Sequence, residues 1–174
     1  MSKGVRASIA VVAWLLAAAA SRAQVDTLLI PLRHLGIEDG LSQGMVGSIL
    51  QDRTGFMWFA TKDGLNRYDG YQFEVFRHDP QDSTSLSDSN VLMLFEDREG
   101  RLWVGTERGV DLFDRATGRF IHVLRESTPS AGLTHRMVQD RNGDLWVSRM
   151  HGVVKLTSSD ATDRQAPTFS TRSF

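Results

Sequence analysis

Residues 97–106 read DREGRLWVGT, a turn followed directly by a strongly apolar segment. The tetrad Asp97–Gly100 predicts a hairpin turn, because aspartate accepts hydrogen bonds from the amides ahead of it and glycine adopts the left-handed conformation. The residues Arg101–Thr106 predict a short β-strand. This strand is apolar or small almost throughout instead of alternating, so we expect both of its faces to be covered.

The same pattern occurs three times along the chain. Residues of the first copy recur 45 positions later, and four of them recur again after a further 43 positions. The recurring positions are Asp52, Gly55, Trp58, Thr61, Gly64 and Asp69, then Asp97, Gly100, Trp103, Thr106, Gly109 and Asp114, and finally Asp140, Gly143, Trp146 and Gly152. A repeat of this length indicates an array of similar structural units.

Each copy contains β-like runs separated by turn signals, and four such runs make one propeller blade. In the second copy we predict strands at Asn90–Glu96, Arg101–Thr106, Val110–Phe113 and Arg119–Leu124. The fold class is therefore predicted to be all-β: a partial β-propeller of about three four-stranded antiparallel blades, at about residues 41–80, 86–125 and 133–156. The small residues at equivalent positions predict a close approach between neighbouring blades or near the central channel; they are Ala60, Gly105 and Ser148.

The two ends of the chain differ from the repeats. A basic start, an apolar run over residues 7–20 and small residues before Gln24 predict a helical signal peptide, residues 1–23, with an uncleaved membrane anchor as the alternative. Residues 24–40 form a leading segment. Residues 157–174 are expected to be an irregular tail that includes an incomplete outer strand, indicated by Pro167–Phe169. A signal peptide places the remainder in the periplasm, with that peptide as its only membrane segment.

Composition excludes several classes of protein. Cysteine is absent, which excludes disulfide scaffolds, thiolate zinc sites and cysteine nucleophiles. The chain has 20 Lys and Arg against 21 Asp and Glu, so its formal net charge of -1 creates no field that favours nucleic acid. Phosphate-binding and dinucleotide motifs are not found in the sequence. We therefore predict no cofactor, no metal and no catalytic residue.

Residues that resemble metal ligands or catalytic groups have simpler interpretations. Asp52, Asp97 and Asp140 recur once per blade, which favours hairpin structure over calcium binding or catalysis. We interpret the recurring tryptophans as structural and Arg67 as an ion-pairing residue on a strand face. The histidines lack metal-ligand spacing, and His151 is expected in a surface loop; they are His34, His78, His122, His135 and His151.

A ligand would bind most readily at the mouth of the central channel, which loops line in propellers. By symmetry, the turns between second and third strands lie on one rim; they contain Lys62-Asp63, Glu107-Arg108 and Met150-His151. These residues vary between copies, but exposed turns vary in any case. The ligand-binding residues therefore stay unknown at this stage.

The repeated motifs resemble the two-component regulator propeller repeat. The similar stretches are Gly40–Ser42, Gln51–Thr61, Asp63–Gly70 and Asp97–Thr106, and Arg33–Leu35 resembles the family's opening segment. The resemblance covers about residues 28–156. It implies that the leading segment 24–40 supplies the outer strand that closes the ring.

In that family the repeats build periplasmic seven-bladed propellers of bacterial membrane receptors, followed by a transmembrane helix and an output module. The output module is a histidine kinase or a diguanylate cyclase. The resemblance therefore implies a sensor segment that binds a carbohydrate or another small extracellular ligand and has no catalysis of its own. Its expected partners are the remaining blades of the same propeller or a homodimer partner.

Size adds one expectation. A closed propeller needs at least about four blades of about 40–45 residues, whereas the repeat region holds three. We therefore expect the N-terminal portion of a longer receptor, truncated before its transmembrane and output modules. A structural or protein-interaction propeller module is the alternative function, and a fragment of a propeller lyase or glycan hydrolase is a further one.

Overall fold

The structure is a computed structural model that describes residues 32–126, 132–158 and 169–173. A short 3-10 helix, Ile37–Asp39, precedes the strands. The strands are β1 (Val46–Gln51), β2 (Met57–Thr61), β3 (Gly64–Tyr68), β4 (Phe73–Phe76), β5 (Val91–Glu96), β6 (Leu102–Thr106), β7 (Gly109–Asp114), β8 (Arg119–Arg125), β9 (Thr134–Gln139), β10 (Leu145–Arg149), β11 (Gly152–Ser158) and β12 (Phe169–Ser173).

The strands form three separate four-stranded sheets, each in the order of the sequence: β1 to β4, β5 to β8 and β9 to β12. All strand pairs are antiparallel. The three repeat tryptophans lie at the same register, since Leu50 pairs with Trp58, Phe95 with Trp103 and Val138 with Trp146. The prediction of an all-β partial propeller is confirmed for the described residues.

The repeated glycines terminate the first hairpin turn of each sheet. Gly55, Gly100 and Gly143 have φ values of 95°, 83° and 92°, in the left-handed region that favours glycine. The amide of each glycine donates a hydrogen bond to the carbonyl of the aspartate three residues earlier, at 2.9, 3.0 and 3.1 Å. The tetrads therefore form the turns that the sequence predicts.

Consecutive sheets stack face to face through apolar side chains. Between the first and second sheets, Trp58 and Leu65 pack with Leu94 and Phe113. Between the second and third sheets, Trp103 packs in a cluster that includes Met137, Leu145 and Val147. Trp58 and Trp103 therefore each lie against the sheet that follows their own.

How deeply the side chains of the second strand are buried differs between the central sheet and the two outer sheets. Every residue of β6 is buried, which confirms the expected cover on both faces for the central sheet. In β2 and β10 some side chains stay partly exposed, Trp146 among them. The reason is that, among the described residues, the first and third sheets each have one neighbouring sheet.

Two glycines lie where neighbouring atoms leave no room for a side chain. A Cβ atom on Gly105 would lie 2.7 Å from Cγ of Met93 and 2.9 Å from Cγ2 of Thr134 in the next sheet. This contact confirms the predicted close approach between blades. Gly109 has a φ of 148°, and a Cβ atom there would overlap the carbonyl oxygen of Leu124 on the paired strand.

The predicted end segments fall partly outside the described residues. The signal peptide, residues 1–23, lies wholly outside them, and so do residues 24–31 of the leading segment. Residues 32–40 contain the 3-10 helix and no strand. In the tail, β11 extends to Ser158 and β12 pairs with it as the outer strand of the third sheet. That sheet thus continues into the segment 157–174, because residues 169–173 return to its edge.

Candidate functional site

An Asp–Trp hydrogen bond recurs in all three repeats. The indole Nε1 of Trp58 donates to Oδ2 of Asp52 at 2.7 Å. The bonds from Trp103 to Asp97 and from Trp146 to Asp140 measure 2.8 and 2.9 Å. The remaining oxygen of each carboxylate accepts bonds from amides of its own turn. These aspartates are therefore structural, as interpreted, but the bond to tryptophan was not predicted, although the constant six-residue spacing signals it.

Asp52 also joins the first two sheets. Nη1 of Arg115, in the turn after β7, donates to Oδ2 of Asp52 at 2.6 Å, and the carboxylate of Asp52 is fully buried. Burial raises the pKa of Asp52, but hydrogen bonds from Arg115, Thr54 and Trp58 outweigh it and lower the pKa to about 2. The Asp52 carboxylate is therefore ionised at neutral pH, and its bond to Arg115 connects the first and second sheets.

A second buried carboxylate lies in the central sheet. Oδ1 of Asp111 contacts Nδ1 of His122 at 2.7 Å, while Oδ2 of Asp111 accepts the Ser87 amide at 2.8 Å. The hydrogen bond to Asp111 raises the pKa of His122, although burial opposes the rise. In the first sheet, Asn66 accepts the amide of Ser42 in the same way. The repeated Leu-Ser dipeptide therefore anchors the chain ahead of the first strand in the first and second sheets.

A cavity of about 240 Å³ lies where the first strands of the three sheets meet. Its walls are Gly47 and Ser48 on β1, Leu92–Leu94 on β5 and His135–Met137 on β9. First strands line the central channel of a propeller. His135 and Arg136 are both exposed, so this wall offers hydrogen-bond donors to a hydroxylated or anionic molecule.

The predicted rim residues occupy equivalent turns but are largely engaged within their own sheets. Asp63 accepts a hydrogen bond from Arg77 at 2.9 Å, and Arg108 pairs with Asp88 at 3.2 Å. His151 is exposed in the turn between β10 and β11, where a surface loop was expected. Whether these turns contact a ligand stays a prediction.

Arg67 takes part in an ion pair, as interpreted. Its guanidinium pairs with Glu74 on the neighbouring strand. The same guanidinium lies over the rings of Phe56 and Trp58, at 4.7 and 5.8 Å from their centroids. The residue therefore covers aromatic surface in addition to balancing charge.

Within the part of the chain that the structure describes, acidic and histidine side chains do not assemble in groups of three or more that could hold a metal ion. Among the described residues, no helix has the length and apolar character that crossing a membrane requires.

Comparison with known families gives a specific match. Residues 40–63 and 85–108 match the model of the family described as two component regulator propeller. These two stretches match the two component regulator propeller repeat. Each runs from the Leu-Ser dipeptide through the Asp–Trp hairpin to the turn that follows the second strand, so the match covers the features that hold one blade together.

Three similar proteins add context. Over 49 residues the chain is 53% identical to Histidine kinase P4 of Formosa agariphila. This stretch is 28% of this chain and 4% of that protein. It also resembles the extracellular domain of BT4673 from B. thetaiotaomicron, described both as a one component and as a hybrid two component system. One structure of that domain gives a TM-score of 0.58 at 25% identity, covering 72% of this chain and 18% of the other. A second structure of the domain gives a TM-score of 0.60 at 24% identity, covering 79% of this chain and 20% of the other.

A catalytically inactive form of virginiamycin B lyase from Staphylococcus aureus has a TM-score of 0.52 at 11% identity, covering 74% of this chain and 41% of that one. This likeness shows the fold alone. The chain thus spans less than half the length of each of these three relatives. It is a propeller segment that resembles the extracellular sensor domains of hybrid two component systems.

Proposed function

We propose that this chain is the ligand-sensing propeller segment of a membrane-bound receptor of the two-component type, exported to the periplasm. The observation that supports the proposal most strongly is the pair of two component regulator propeller repeats at residues 40–63 and 85–108. Repeats of this family form sensor modules without catalytic groups of their own. The 53% identity to a stretch of a histidine kinase supports the same class of receptor.

The ligand is a carbohydrate fragment bound at the cavity between the first strands. Ser48, His135 and Arg136 supply its side-chain donors. A sugar carboxylate satisfies the positive charge of Arg136, while sugar hydroxyls match the serine and the exposed strand backbone. Acidic oligosaccharides should therefore bind more tightly than neutral ones.

Isothermal titration of the full chain with oligogalacturonates and with neutral xylo-oligosaccharides tests the proposal. We expect saturable binding of the acidic sugars, weakened about fivefold or more by Arg136→Ala. Arg119→Ala is the matched control, because Arg119 is an exposed arginine on the outer strand β8. Binding that ignores Arg136, or no binding of any sugar, would contradict the proposal.

A further inference from the structure

The connector between the first two sheets, residues 77–90, runs from β4 to β5 and is attached to the second sheet. Leu86 of the connector is fully buried in the apolar cluster between these two sheets. The amide of Ser87 donates to Oδ2 of Asp111 on β7 at 2.8 Å. The hydroxyl of Ser87 contacts that of Thr106 on β6 at 2.9 Å. The path of the connector thus depends on the Asp111 carboxylate.

This carboxylate has an imidazole as its partner. Asp111 is fully buried, and a buried carboxylate is costly unless a charge compensates it. Nδ1 of His122 lies 2.7 Å from Oδ1 of Asp111, and the backbone of Ser83 in the connector also hydrogen-bonds to the ring. A protonated imidazole donates from both nitrogens, whereas a neutral one donates from one. The protonated ring is therefore the form that balances the Asp111 charge and serves both partners.

The other two sheets hold uncharged residues at these positions. In the first sheet Asn66 pairs with Val75, and Oδ1 of Asn66 accepts the amide of Ser42 at 2.8 Å. In the third sheet Val154 pairs with Ser173. The first sheet thus anchors its Leu-Ser dipeptide without a charge. Attachment of the chain does not require an ion pair, so the pair in the second sheet adds a property that the first sheet lacks.

The groups around His122 favour its protonated form in the attached state. The hydrogen bond to Asp111 raises the pKa of His122, and the backbone of Ser83 adds to the rise. Burial and the charge of Arg125, on the same strand, oppose it. Because the pKa is raised on balance, the attached state binds this proton more tightly than a free imidazole does.

The connector carries titratable groups of its own. Its carboxylates bond to nearby groups: Oδ1 of Asp79 to the amide of Gln81, Oδ1 of Asp82 to the amide of Thr84, and Oδ2 of Asp88 to Arg108. A second imidazole lies on the connector itself, since Nδ1 of His78 is 2.7 Å from the carbonyl oxygen of Leu86. An experiment on the connector must therefore distinguish His122 from His78.

We propose that Asp111 and His122 form a pH-controlled latch on the connector, which is closed while His122 is protonated and loosens when the ring loses its proton. Loss of the proton leaves the buried Asp111 carboxylate without a charged partner. Separation of Ser87 from Asp111 admits water to the carboxylate and so becomes easier. The stabilisation is complete below about pH 6.5 and is lost as the pH rises through the pKa of the folded state. The latch does not depend on the ligand proposed above.

Amide hydrogen exchange of the full chain, followed by NMR from about pH 6 to about pH 9, tests the latch. Protection factors remove the intrinsic dependence of exchange on pH. We expect the protection factor of the Ser87 amide to fall about threefold or more over this range. Its midpoint should coincide with that of the Cε1 proton signal of His122. The Ser42 amide is the internal control, because it bonds to the uncharged Asn66.

Two results in the parent chain alone would overturn the proposal. One is a protection factor of Ser87 that stays constant, or that changes with a midpoint different from that of His122. The other is a parallel loss of protection at Ser42, which would indicate global unfolding instead of local opening of the connector.

Asp111→Asn gives the second sheet the anchor of the first. An asparagine oxygen still accepts the Ser87 amide, so Ser87 should stay protected while its dependence on pH disappears. His78→Gln is the matched control, because it removes the other imidazole of the connector and should leave that dependence intact. Circular dichroism confirms that both variants are folded. A dependence that survives Asp111→Asn, or one that disappears with His78→Gln, would assign it to a group other than the latch.

Discussion

Replacing Asp52 by asparagine tests how a buried carboxylate holds two blades together. Its pKa of about 2 lies below the ordinary value of 3.8, because donors from Arg115, Thr54 and Trp58 stabilise the anion. A lowered pKa contributes stability that is present above about pH 4 and is lost as the pH falls through about 2. The difference corresponds to about 2 kcal/mol of unfolding free energy at neutral pH.

Urea unfolding followed by tryptophan fluorescence measures this contribution. At neutral pH, Asp52→Asn should lower the free energy of unfolding by about 2 kcal/mol or more, because Arg115 also loses one of its two carboxylate partners and keeps only Glu96. Between about pH 6 and about pH 2, the variant should lose about 2 kcal/mol less than the parent chain.

Asp63→Asn is the control for this measurement. Asp63 pairs with Arg77 at the surface, where both side chains are about half exposed. Solvent screens such a pair, so the substitution should change stability by less than about 1 kcal/mol at any pH. If Asp52→Asn and the parent chain lose equal stability on acidification, the Asp52 carboxylate does not stabilise the blade interface and the reasoning is refuted.

Three further substitutions probe other parts of the fold. The raised pKa of His122 adds stability below about pH 6.5, and this stability is lost as the pH rises through the pKa of the folded state. His122→Asn should therefore flatten the dependence of the free energy of unfolding in urea on pH over this range. An unchanged dependence would show that the His122–Asp111 pair is not its source. Gly109→Ala should prevent folding, as judged by circular dichroism. Gly118→Ala should lower the free energy of unfolding by only about 1 kcal/mol, because a Cβ atom on Gly118 meets no described atom within 4 Å. Equal effects of the two substitutions would contradict the steric account. Trp103→Ala should cost roughly 3–5 kcal/mol in urea unfolding, and a loss below about 1 kcal/mol would show that this buried ring does not join the second and third sheets.

The strand layout was accessible from the sequence because turn residues and apolar runs are local signals. In the second copy, the observed strands differ from the predicted ones by one residue at each shifted end. The Asp-x-x-Gly tetrads specify their turns through their own side chains and backbone, so no distant contact was needed to place them.

Contacts between repeats were not accessible in the same way. The sequence shows that Arg53 and Arg98 occupy equivalent positions, but not that each reaches the next turn, because that contact depends on how one sheet stacks on another. The pairing of Asp111 with His122 follows from the register of β7 and β8. Its burial depends on the segment around Ser87, which crosses from outside that hairpin.

The candidate cavity required three-dimensional information for the same reason. Its walls come from β1, β5 and β9, which are separated by about one repeat each, and no local motif connects them. The sequence indicated the channel in general and favoured the turn residues at its rim. The exposed pair His135 and Arg136 was missed because the third copy matches the other two weakly in its first strand.

Hydrogen exchange of the tryptophan indole N–H groups, followed by NMR on the full chain, tests most directly whether each repeat is held by its Asp–Trp bond. We expect the indole protons of Trp58 and Trp103 to exchange about 100-fold or more slowly than a free indole. Asp52→Asn should accelerate and shift the signal of Trp58 alone, and Asp97→Asn that of Trp103 alone. Exchange at the rate of free indole would contradict this account. So would an indole signal that does not change when the aspartate of its own repeat is replaced.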